Sequence, residues 1–136
     1  MSSYDPSKDE AEIRALIESW TKAVREENYD GILARHTSDF LMYDVPPPFQ
    51  SRGLDAYRKT WDIFFGWSKK EKIFNVTELE ITASDTVAFA HGTGHCTGLS
   101  PAGVEEKLEF RLTMGFKKID GQWKFSPPVS SRPTKP

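Results

Sequence analysis

A chain of 136 residues with 38% hydrophobic and 28% charged side chains suits one soluble domain with one core, so a single domain over 1–136 is expected. A net charge of −2, with no basic run beyond Lys69-Lys70-Glu71-Lys72, offers nothing that tracks a phosphate backbone and excludes nucleic acid as a partner. A lone cysteine, Cys96, excludes an intrachain disulfide; no stretch reaches span length and the N-terminus has no apolar leader core, so the chain is read as cytoplasmic, without membrane contact.

Ser7-Lys8-Asp9-Glu10 has capping-box spacing, and Ile13, Leu16, Ile17, Trp20 and Val24 follow as one helical stripe ending near Asn28. Asp30 is placed to cap a short helix from Gly31 to His36. Phe40 to Val45 reads as a strand stopped by Pro46-Pro47-Pro48, which offer no ladder donors. Gly53 precedes a helix from Leu54 to about Phe65, with Leu54, Tyr57, Trp61, Phe64 and Phe65 on its apolar side. Strands are predicted over Ile73–Thr82, Thr86–Thr97 and Glu105–Lys118, with Asp120-Gly121 as a hairpin turn before a last strand from Gln122. Pro127 and Pro128 remove two successive donors, so regular pairing is expected to Phe125 and an edge-like, irregular path beyond it. Helices first and strands later argue for an α+β fold, a curved antiparallel sheet around three N-terminal helices.

The chain resembles the nuclear transport factor two-like superfamily, with its cystatin-like cone, and within it the SnoaL-like and ketosteroid-isomerase-like members. The resemblance rests on Trp20 and Ala23, Asn28-Tyr29-Asp30-Gly31-Ile32, Asp39 leading into Met42-Tyr43-Asp44, Gly53-Leu54-Asp55-Ala56-Tyr57, Val87-Ala88-Phe89 and Gly121-Gln122-Trp123. It implies a cone with a cavity at its open end and a homodimer built on the outer sheet face. It does not imply one function, because one cone serves isomerases, cyclases, hydrolases and binders.

The resemblance places Asp44 where ketosteroid isomerases carry their general base; a solvated turn aspartate is the bland alternative. The isomerase tyrosine on the first helix corresponds to Trp20, whose indole is a poorer acid than a phenol, and the protonated acid on a late strand corresponds to Thr113. Arg111 and Thr113 share a strand face and resemble the Arg-x-Asp pair of limonene-epoxide-hydrolase-like members; an outer-face salt bridge for Arg111 is the stronger reading. His91 and His95 also share a face, about 13 Å apart along the strand, too far to chelate one ion. No metal and no cofactor are expected. His36 is read against a helix dipole, and Cys96 as a small buried apolar residue. Related chains end in a Trp-x-apolar-x-His-x-His frame; here Pro127 and Val129 stand at the histidine positions. With Gly92, Thr93 and Gly94 leaving the region sparse, the pocket is read as remodelled, by drift or by engineering.

The expected ligand-binding set is Trp20, Met42, Asp44, Tyr57, Trp61, Phe65, His95, Arg111, Thr113 and Val129, around a small, mostly apolar, steroid- or polyketide-like molecule. The alternatives are an isomerase or cyclase with Asp44 as base and Trp20, Thr113 or His95 as donors, and a non-catalytic dimerisation module.

Overall fold

The computed structural model describes residues 5–43, 50–68 and 73–133. Helix α1 (Ser7–Arg25) buries Ile13, Ile17, Trp20, Ala23 and Val24, the stripe its spacing predicts. Its entry differs from a capping box. Pro6 is the N-cap and no side chain caps the helix; the Asp5 carboxylate instead accepts from the Ser7 N–H at 3.0 Å. Helix α2 (Tyr29–Leu33) starts earlier than expected, because Asn28 and not Asp30 is its cap: the Asn28 side chain accepts from the Gly31 N–H at 3.2 Å. A Cβ on Gly31 would lie 2.8 Å from the Ala23 Cβ, so glycine permits the two helices to touch.

Strand β1 (Leu41–Tyr43) pairs antiparallel with β2 (Gln50–Arg52). The second strand, Gln50-Ser51-Arg52, has no apolar alternation and so no signature in the sequence. Gly53, at φ 85, leads into α3 (Leu54–Trp67). A meander follows: β3 (Phe74–Ala83), β4 (Val87–Leu99), β5 (Glu105–Ile119) and β6 (Gln122–Pro133), giving the sheet order β2-β1-β6-β5-β4-β3. Asp120 and Gly121 both have positive φ, 52° and 78°, as a two-residue type I′ hairpin requires. The result is the expected α+β cone, with one departure from a wholly antiparallel sheet: β1 runs parallel to β6, Met42 opposite Val129.

The ending is also more regular than expected. Gly115 pairs with Ser126 and Met114 with Val129, so a register shift takes Pro127 and Pro128 out of the ladder, and pairing resumes as far as Phe110 and Pro133. The prolines lack donors only where the bulge asks for none. Strand β6 therefore lies between β5 and β1 and is not an edge.

Alternation along β5 fixes the two sheet faces. Phe110, Leu112, Met114 and Phe116 are buried, while Glu109, Arg111, Thr113 and Lys117 are exposed. The glycine-rich part of β4 is not empty. A Cβ on Gly94 would lie 2.2 Å from the Phe110 ring, and one on Gly98 2.2 Å from the Trp67 ring. Each ring lies against backbone, and the space that looked sparse in sequence is filled by aromatic carbon.

Candidate functional site

The inner face gathers aromatic side chains from every layer. Trp20 of α1 meets Trp61 of α3 edge-on at 5.8 Å and Phe74 of β3 at 5.3 Å. Trp61 touches Phe64, Phe65 and Phe74, and Phe74 meets Phe110 at 6.1 Å. Trp20, Tyr57 and Trp61 are 7%, 2% and 6% exposed, and Phe65 is partly buried against them. Tyr57 and Trp61 are four residues apart on α3, which sets both on one helical face.

Polar atoms inside this cage are few. The Trp20 Nε1–H donates to the Tyr57 hydroxyl oxygen at 3.1 Å in a buried bond. The one donor of Trp20 is thus committed to a neighbour, which removes it from the oxyanion-donor role considered from sequence. Burial pushes the Tyr57 phenol well above its ordinary pKa, and the Trp61 and Trp20 indoles pull the other way; the phenol stays protonated and can donate. The Trp61 Nε1–H is buried near the Tyr57 hydroxyl but makes no hydrogen bond of good geometry among the described residues, and the buried Ser126 hydroxyl has no partner among them. An unpaired buried donor costs about 1–3 kcal/mol, so each needs an explanation.

His36 closes one side of the cage. Its ring stacks on Phe125 at 4.5 Å and 17°, with Phe40 and Tyr57 at 4.6 and 5.0 Å. Nδ1 lies 2.9 Å from the Ala34 carbonyl; a carbonyl only accepts, so Nδ1 carries the proton. Desolvation lowers the pKa of His36 from 6.5 to about 4, against the backbone carbonyls of Ala34 and Leu33, which raise it. A neutral ring interacts little with a helix dipole, and burial in aromatics replaces that expectation.

The other sequence candidates fall elsewhere. Arg111 and Thr113 are exposed on the outer face, opposite Thr93 and His91 of β4. His95 lies on that face too, with Nε2 2.8 Å from the Thr77 hydroxyl and Nδ1 3.8 Å from Glu109. His91 pairs with Glu80 at 3.1 Å. These residues are not brought together with Trp20, Tyr57 and Trp61. Met42 and Val129 are register partners on adjacent strands. Asp44 lies outside the described residues. Among the described residues no group of three His, Cys, Asp or Glu side chains could hold a metal ion, and no helix is long and apolar enough to cross a membrane. Cys96 is buried, and desolvation pushes its thiol up to about 11.

Asp9 was missed. It is 5% exposed, accepts from the Trp123 Nε1–H at 2.9 Å and pairs with Lys118 at 2.8 Å, tying the start of α1 to the β5–β6 hairpin. The signal was present, since Asp9 is in phase with Ile13 and Ile17 on the buried stripe.

Solved structures share this architecture. A nuclear transport factor two-like protein from Pseudomonas putida is 28% identical, with a TM-score of 0.81 over 93% of this chain and 87% of that one. A nuclear transport factor 2 superfamily protein from Salmonella enterica is 15% identical at 0.81, over 96% and 95%. A ketosteroid isomerase-like protein from Erwinia carotovora is 18% identical at 0.76, over 93% and 96%. A search among curated proteins finds no match. The SnoaL-like domain model matches residues 13–135, and the chain belongs to the SnoaL-like domain family.

Proposed function

We propose that the chain binds a small, flat, mostly apolar molecule of steroid- or polyketide-like shape in the cone, held by a hydrogen bond from Trp61 to an acceptor atom on the ligand. The observation that carries this reading is the Trp61 Nε1–H, buried among aromatic rings near the Tyr57 hydroxyl but in no hydrogen bond of good geometry among the described residues. A ligand carbonyl beside it would satisfy the donor, and the rings would supply the apolar contact. The family's known folds on this cone, and the ketosteroid isomerase-like relative, are consistent with such a ligand.

Thermal shift with a ketosteroid and its deoxy analogue tests this. The ketosteroid is expected to stabilise the protein more. Trp61→Phe, which keeps the ring and removes the donor, should cut that preference by about 1 kcal/mol, roughly fivefold in affinity. No stabilisation by either compound, or an unchanged preference in Trp61→Phe, would refute it.

A second reading is proton transfer next to a carbonyl, favoured by the buried phenol of Tyr57, which accepts from Trp20 and retains its own proton to donate. Asp44 is the base this reading requires. Isomerisation of a β,γ-unsaturated ketosteroid, lost in both Asp44→Asn and Tyr57→Phe, would support it; absence of turnover in the parent chain would remove it.

A further inference from the structure

The inner face of the sheet reaches solvent at one end of the meander. Leu108 of β5 keeps the inward register of Phe110 and Leu112, yet it is 41% exposed. Its partner on β4 is Cys96, and the partner of Cys96 on β3 is Phe74. Phe74 meets Trp20 and Trp61 of the aromatic cage. Leu108, Cys96 and Phe74 thus form one cross-strand row from water to the cage, with Cys96 itself buried.

Trp67 covers this row on its hairpin side. Its ring lies on the backbone of Gly98, where a Cβ would overlap it, and Gly98 shares the inner face with Cys96, two residues away. The ring also touches Phe64 at 5.9 Å, and Phe64 touches Trp61 at 5.4 Å. The indole N–H donates to the Glu106 carboxylate at 3.0 Å, and Glu106 is the residue paired with Gly98 across the ladder. One side chain from the end of α3 therefore spans β4 and is fastened to β5.

Three features make this cover movable. Trp67 is the last residue of α3, and the next residue, Ser68, is already extended at ψ 154. Gly98 carries no side chain that could interlock with the ring. The single donor of the indole is spent on an exposed carboxylate, where water can replace it at small cost.

We infer that Trp67 is a latch over this end of the inner face. Closed, it lies on Gly98 and is held by Glu106. Open, it swings off and uncovers Cys96 and the row that leads to Phe74 and Trp61. Its role as the ligand's route rests on the binding proposed above; the opening itself does not.

Cys96, the one cysteine of the chain, reports the opening. The test is alkylation of the full chain by iodoacetamide at mildly alkaline pH, followed by mass. The labelling rate is expected to be flat in low urea, because a local opening exposes little surface. It should rise about fivefold in Glu106→Ala, which removes the acceptor at an exposed position. Trp67→Phe, which keeps a ring and loses the donor, should show the same gain, and the double variant no more than either alone. A rate that climbs with urea along the global unfolding curve, or that is unchanged in both variants, would overturn the latch. Stopped-flow binding of a ketosteroid tests the route. Association and dissociation should both be about fivefold faster in Glu106→Ala, with Kd within about twofold of the parent, since a gate alters passage and not the bound state. Faster labelling with unchanged steroid rates would overturn the latch as the ligand's route. Faster labelling with no steroid binding would support the latch and refute the ligand reading instead.

Discussion

His36 shows how one buried group sets a pH window. In the fold its pKa is lowered to about 4 from 6.5, because burial among Phe40, Tyr57 and Phe125 removes its solvation. The unfolded chain therefore takes up the proton first. Stability is full above pH 6.5 and is lost as pH falls toward 4, by on the order of 3 kcal/mol over the window. Urea unfolding at pH 7 and at pH 4.5 should show that fall in the parent and a shallower one in His36→Phe, which keeps a ring in the stack; parallel curves would show that His36 is not the titrating group. Asp9 is a different case, a buried carboxylate that pairs with Lys118 and accepts from the Trp123 indole. Asp9→Asn retains an acceptor for Trp123 but strands the cation. Lys118 is 26% exposed, so the expected cost is about 1–2 kcal/mol, below that of breaking a fully buried pair, as read from the chemical denaturation midpoint.

At the scale of elements, legibility depended on whether a local pattern carried the answer. The stripe of α1, the Asp120-Gly121 turn and the four meander strands were legible because period and turn chemistry are local. Strand β2 was not, since three polar residues have no period, and the parallel join of β1 to β6 is a long-range choice that no local pattern records. The outward placement of Arg111 and Thr113 was legible in principle. Phe110, Leu112, Met114 and Phe116 alternate with them, and a period of two puts the intervening residues on the other face; the outer-face reading preferred for Arg111 agrees with that pattern, whereas placing Arg111 and Thr113 in the ligand set followed the analogy with the epoxide hydrolase pair. The glycines of β4 were misread because a missing side chain looks the same in sequence whether the space is empty or taken by a distant ring. Gly94→Ala would meet the Phe110 ring at 2.2 Å and should destabilise by about 1–3 kcal/mol. Adding Phe110→Leu should recover part of that loss, because the ring that causes the overlap is gone. A double-mutant cycle with purely additive costs would show that the two positions do not compete for one space.

At the scale of the whole molecule, a homodimer on the outer sheet face is the expectation left to test. The family resemblance implies a homodimer there, and the exposed residues show what that face offers a second copy. Val87 and Phe89 are 53% and 51% exposed, but the neighbouring outward positions are His91, Thr93, Glu109, Arg111, Thr113 and Lys117. Phe89 sits opposite Gly115, which has no side chain, in the ladder and is the one large aromatic on that face of β4 and β5. Two of the charges there are already engaged within the chain, Glu80 with His91 and Glu109 with His95, and exposed pairs of this kind are worth little. A face with one aromatic anchor and a polar surround suits a dimer of modest affinity rather than an obligate one. Sedimentation equilibrium is expected to show a monomer–dimer equilibrium in the micromolar range. Phe89→Glu should weaken it at least about tenfold, because it buries a charge where a ring would anchor, while Ile63→Glu on α3, also exposed but on a helix, should leave it unchanged. A monomer at all concentrations, or equal loss in both variants, would show that the outer face does not pair with itself through Phe89.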